Sequence, residues 1–349
     1  MKQRKLHYDI LRIIASLCVI YNHTSERGYY LYAFPCSFIL KDFYIAVAAL
    51  IAVAVPIFFM ISGALLLSRD EPLEVLYKKR VSRMVAVLLV FSCVQYAVLL
   101  RDHHAELSLS YFAKALFDDG MISPYWFLYA YIAYLLILPF LRKLTKVMDK
   151  KDYHYLFALL LIIEGVLPTI LFFFGITEIN DFFVVPMLNR VVVYPLLGYY
   201  MENHVEEEKY CAETTKKVLL SIVLVLVFFV LMTRYRDLPY EEFTRYDKGL
   251  YTCSFTMILD AGVYYLVKRF CMKHDLSRWS KVIISLGSAT FGMYLIEQPI
   301  REHIPAVCDR LVPYIGHFPA CMVYVVVVFI IAYIITLLMK CIPGLRRLL

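Results

Sequence analysis

Ten separate stretches of this chain are apolar for about the length a helix needs to cross a bilayer, and no other feature constrains its fold as tightly. They cover residues 8–25, 43–67, 83–101, 124–141, 154–175, 184–201, 218–233, 249–268, 281–300 and 317–340. Polar residues interrupt the sixth and the eighth. The expected fold is an all-α polytopic membrane protein, a bundle of about ten transmembrane helices forming a single domain over residues 1–349. Composition agrees: 61% of the residues are hydrophobic and 19% charged, against about 45–50% and about 25% in soluble domains. That excess is too large for one or two cores, which excludes a soluble enzyme, a disordered chain and a secreted disulfide scaffold. The nine cysteines form no CxxC pair and no Cys/His metal spacing, so neither a metal site nor a disulfide framework is expected; Cys36 and Cys308 fall on the same side of the bundle. The first apolar run has no small-residue cleavage site and is followed by further runs, so no cleavable signal is expected.

The net charge of +7 suits nucleic acid less well than it suits topology. Of the 36 lysines and arginines, 24 lie at the termini and in alternate connections, 11 lie in the other set, and Arg12 sits inside the first run. The positive-inside rule places the richer side, and with it both termini, in the cytoplasm of a bacterial cell membrane. Nucleic acid is not an expected partner.

Ionisable groups inside a span cost several kcal/mol unless they are paired or wetted, so they mark candidate sites (about 2.5–3.5 kcal/mol on insertion scales). The first run carries Asp9, Arg12 and His23. Arg12 and His23 are separated by nearly three helical turns, which puts them on one stripe about 16 Å apart along the axis. Asp9 is spaced to pair with Arg12. Snorkelling by Arg12 and end-capping by His23 would explain each residue alone; a polar cavity explains both together. A second cluster, Lys78-Lys79-Arg80-Val81-Ser82-Arg83, opens the third run, with Arg80 and Arg83 on one face of a helix start. Two guanidiniums at a helix N-terminus suit a phosphate, although ordinary positive-inside charge gives the same pattern. Third, Glu297 in Tyr294-Leu295-Ile296-Glu297-Gln298-Pro299 falls at a depth similar to that of His23, where a carboxylate would fix the imidazole tautomer. Glu164 and Asp260 either line the same cavity or pair structurally, Arg190 after Asn189 reads as an interfacial anchor, and Trp126 reads as a belt aromatic.

These residues resemble the acyltransferase 3 family of bacterial membrane O-acyltransferases. The resemblance is carried by Asp9, Arg12 and His23, by Phe58-Phe59-Met60-Ile61-Ser62-Gly63, by Arg80 with Arg83, by Trp126-Phe127-Leu128 ahead of Pro139, and by the Glu297 segment. It extends over essentially the whole chain. It implies transfer of an acyl group, commonly acetyl, from cytoplasmic acyl-CoA to a hydroxyl of a carbohydrate-containing acceptor such as a cell-surface polysaccharide or its lipid-linked precursor. It further implies His23 as the catalytic residue and Arg80 and Arg83 as donor-binding residues, with Arg12 part of the first-span motif and no metal required. Members often carry histidine where this chain has Glu297, so that position is either catalytic or cavity wall. The fused hydrolase-like domain of some relatives is missing, which implies transfer by this chain alone, as a homo-oligomer, or with glycan-synthesis partners. Two routes suit His23, as general base or as a nucleophile carrying the acyl group. The rival reading is a transporter or flippase for a lipid-linked sugar, which would favour inverted repeats and helices broken at midplane; neither pattern stands out.

Overall fold

With hydrocarbon as solvent, each span must satisfy its own backbone amides. The computed structural model, which describes residues 4–118, 120–174, 176, 185–236 and 255–349, is accordingly helical, with no strand among the described residues. The helices are α1 Leu6–Asn22, α2 Phe38–Ile51, α3 Ala54–Leu66, α4 Leu73–Arg101, α5 Leu109–Phe117, α6 Trp126–Val147, α7 Lys150–Phe173, α8 Arg190–Asn203, α9 Ala212–Arg236, α10 Thr256–Lys273, α11 Ser280–His303, α12 Ala306–Ile315, α13 His317–Met339 and α14 Pro343–Leu348. Among the described residues, seven spans are long and apolar enough to cross a bilayer: α2 and α3 taken together, then α4, α6, α7, α9, α11 and α13. The first of these bends at Ala52 and Val53, where Pro56 lacks the N–H that would bond residue 52.

Three of the ten expected spans take another form. Residues 8–25 give α1, of 17 residues, 184–201 give α8, of 14, and 249–268 give α10, of 18. The starts of the last two lie outside the described residues. These helices are short or carry charge because protein, rather than lipid, surrounds much of them. In α8, Val193, Leu196, Leu197 and Gly198 are all buried, and in α1 Leu11 and Ala15 are fully enclosed. Helix α1 packs against α3, α10, α11 and α13, which places it at the centre of the bundle.

Small residues set the closest approaches. Helices α3 and α8 meet backbone to backbone: a Cβ on Gly63 would lie 1.9 Å from the Pro195 carbonyl oxygen, and one on Gly198 1.9 Å from that of Met60. Gly287 of α11 likewise admits Asp9 of α1, whose Cβ lies 2.5 Å from where a side chain on that glycine would begin. Polar caps fix several ends. Asp149 and Asp152 form a capping box at the start of α7, and the Asn189 side chain accepts from the Val191 amide at the start of α8, with Arg190 in its first turn.

Candidate active site

The α1 stripe does line a cavity. A space of about 330 Å³ is bordered by Arg12, Val19, Asn22 and His23 of α1, by Val55, Phe58, Ile61 and Ser62 of α3, by Arg83 and Met84 of α4, by Trp126, Phe127 and Tyr131 of α6, and by Thr290, Phe291 and Tyr294 of α11. Its ends differ chemically: two guanidiniums at one, an imidazole at the other, and aromatic rings between. Tyr131 sits on the wall within reach of Ser62, whose hydroxyl is 3.5 Å from its own.

At the imidazole end, His23 is the residue just past the last turn of α1, its amide donating to the Val19 carbonyl. Its Nδ1 lies 2.6 Å from Oε1 of Glu297. The His23 side chain keeps 22% of its surface exposed, whereas that of Glu297 keeps 1%. A carboxylate only accepts, so Nδ1 carries the proton and Nε2 is left as the basic nitrogen. The Glu297 segment owes its position to Pro299. Without an N–H, that proline leaves the Leu295 carbonyl unbonded within the helix. The Tyr125 hydroxyl donates to the same carbonyl at 2.9 Å, and the Gln95 amide at 3.5 Å, replacing the lost bond from α4 and the turn ahead of α6. The Tyr294 hydroxyl donates to the Pro124 carbonyl at 2.5 Å and ties the same turn of α11 to the start of α6.

At the guanidinium end, Asp9 is fully buried and accepts from Arg12 at 3.1 Å, as its spacing predicts. It also accepts two bonds from Arg4, at 2.6 and 2.7 Å, a partner the spacing argument missed. Arg83 borders the cavity and donates from Nε and a terminal nitrogen to the Leu348 carbonyl at 3.1 and 2.9 Å. Arg80 does not border it. Its guanidinium is bidentate on Glu71, at 2.9 and 3.1 Å, and Arg142 of α6 shares the same carboxylate at 3.1 Å. The pair therefore does not stand at a helix start. Helix α4 begins ten residues ahead of Arg83, at Leu73 behind Pro72, and a π-helical turn over Leu76–Val81 rotates Arg80 away from the face of Arg83. The amides of the α4 N-terminus are thus not part of the site; at this end of the cavity the side chains of Arg83 and Arg12 remain for an anion.

Trp126 opens α6 at the cavity rim, half exposed. Asp260 is fully buried and Glu164 is half-buried, and neither borders the cavity. Among the described residues, no three His, Cys, Asp or Glu side chains gather as a metal site. Sequence reasoning also missed Arg301, which stands four residues after Glu297 with its Nε 3.5 Å from Oε2 of that carboxylate. The i, i+4 spacing was the available signal.

A family model described as an acyltransferase domain matches residues 6–337. The chain belongs to this acyltransferase family. No curated protein and no solved structure matches it. Every residue bordering the cavity except Leu349 falls within the matched region.

Proposed function

We propose that this acyltransferase is a membrane O-acyltransferase that moves an acyl group, acetyl in the simplest case, from acyl-CoA to a hydroxyl of a carbohydrate-containing acceptor. The observation that carries the reading is a single cavity with Arg12 and Arg83 at one end and the His23–Glu297 pair at the other. The count of ten crossings, both termini in the cytoplasm and a bacterial cytoplasmic membrane belong to the same proposal; the 24-to-11 bias of basic residues supports them.

In this reading the donor's phosphates meet the two guanidiniums, with Arg83 exchanging the Leu348 carbonyl for a phosphate oxygen. Arg80 contributes from one step away by holding Glu71 and, through it, Arg142. The pantetheine arm lies along the aromatic wall and brings the thioester to His23. As the acceptor oxygen attacks the thioester carbonyl, its proton passes to Nε2 of His23, while Glu297 holds Nδ1 and offsets the imidazolium charge. The C–S bond then breaks, and the departing thiolate takes that proton. In the covalent variant, Nε2 attacks the thioester carbonyl first and the C–S bond breaks to release the thiolate; the acceptor hydroxyl then attacks the acyl-imidazolium, its proton goes to the thiolate, and the N–acyl bond breaks to restore the neutral imidazole. Trp126 at the rim stands where the acceptor would approach.

The test is purified protein with labelled acetyl-CoA, scored for CoA release and for label on an acceptor. His23→Ala is expected to lower transfer roughly 10⁴-fold while the protein still inserts and purifies as a single species. Near-normal transfer by that variant would refute the assignment.

A further inference from the structure

Behind the His23–Glu297 pair stands a cation, Arg301. Glu297 uses Oε1 for His23, at 2.6 Å. Its other oxygen, Oε2, is enclosed and has no hydrogen-bond partner, and Nε of Arg301 is enclosed and lacks one too. The two orphaned atoms face each other at 3.5 Å, one turn apart on α11. Their shared position is not an accident of a loose surface chain, because the Arg301 side chain is only 18% exposed and the Tyr324 hydroxyl of α13 donates to the Arg301 carbonyl at 2.6 Å. A closure of about 0.6 Å would make a charge-assisted bond.

We propose that Arg301 is a positioning residue for the acyl-transfer site: it supplies the counter-charge on the far oxygen of Glu297, so that the carboxylate stays aimed at Nδ1 of His23. The inference rests on the function proposed above. Its physical basis is that a carboxylate enclosed to 1% exposure is costly without compensation, and a neutral imidazole compensates only by one hydrogen bond. A guanidinium on the opposite oxygen supplies the balancing charge and leaves Oε1 for the ring. Loss of Arg301 would let the carboxylate turn away from Nδ1. The ring then loses the acceptor that fixes its tautomer, and Nε2 ceases to be the reliably basic nitrogen. Arg301 touches neither donor nor acceptor in this account, so it acts on turnover and not on donor binding.

The experiment is a double-mutant cycle with Arg301→Gln and Glu297→Gln in purified protein, measured by CoA release from acetyl-CoA in the presence of acceptor, with His23→Ala alongside. Arg301→Gln is expected to lower kcat roughly 10–100-fold, the range seen when a partner behind a reacting group is removed, with the KM for acetyl-CoA unchanged. In the Glu297→Gln background the same change is expected to cost nothing further, because the group it serves is gone. Arg301→Lys, which keeps the charge, is expected to restore most of the turnover. Unaltered kcat in Arg301→Gln, or losses that simply multiply in the double variant, would overturn the proposal. If Arg301→Gln does not accumulate, Arg301→Lys carries the test, and turnover as low as that of Glu297→Gln would count against it. An inactive His23→Ala beside a fully active Arg301→Gln defeats the Arg301 assignment alone. An active His23→Ala defeats the functional reading and this inference with it.

Discussion

At the scale of single residues, the two arginines that the sequence groups together do different work. Arg83 borders the cavity with its guanidinium held by a backbone carbonyl, whereas Arg80 is locked to Glu71 with Arg142. Arg83→Ala is therefore expected to raise the acetyl-CoA concentration needed for half-maximal transfer about tenfold, the loss of one charge-assisted pair, with little change in thermal stability. Arg80→Ala is expected instead to lower thermal stability, with only a small rise in that concentration, and the pH dependence of stability checks it. Hydrogen bonds from Arg80 first, and then from Arg142, hold the Glu71 carboxyl down to about 2 from an ordinary 4.5. A lowered carboxyl stabilises the fold in full above its unfolded value and loses that contribution as pH falls through the folded one. The unfolding midpoint of the wild type should thus drop between pH 4.5 and pH 2, and Glu71→Gln should flatten that drop. The difference between Arg80 and Arg83 was not legible in the sequence, because it depends on where α4 starts and on one π-helical turn. The Arg12–His23 relation was legible, because both residues ride on one helix whose pitch is fixed.

At the scale of helices, the contact between α3 and α8 is the most demanding. Each glycine faces the other helix's backbone, which cannot move aside as a flexible side chain can. Gly63→Ala is expected to cost about 3 kcal/mol, the upper part of the overpacking range, seen as a lowered unfolding midpoint in detergent. A midpoint equal to that of the wild type would mean that the two helices are farther apart than described. Gly63 was visible in the sequence as part of Phe58-Phe59-Met60-Ile61-Ser62-Gly63, but its partner Gly198 lies more than a hundred residues away and nothing local connects them. The same limit hid Tyr125 and Gln95 as donors to the Leu295 carbonyl. By contrast, the polar interruptions that marked the sixth and eighth runs do correspond to enclosed helices, since a helix shielded by its neighbours can afford charge that lipid would reject.

At the scale of the whole molecule, orientation is the open property that the free thiols can report. Cys36 is exposed at the start of α2, on the side of His23, while Cys211 and Cys341 are exposed on the side of the α1 N-terminus. The Cys211 thiol is pulled below its ordinary range by its hydrogen bond with Thr214, which makes it a good target for alkylation. A membrane-impermeant maleimide applied to intact cells is expected to label Cys36 and to reach Cys211 and Cys341 only after permeabilisation; the opposite pattern would invert the topology. Helix α1, at the centre of the bundle, borders the cavity at both its ends. Under the function proposed above it would act as a ruler: the span between the cation that would greet an incoming donor and the ring that would meet its far tip is set by hydrogen bonds internal to one rod, and sliding of the surrounding helices would leave that gauge unchanged. Carriers whose reach fell short of it would then be refused by length alone, before any contact with the acceptor.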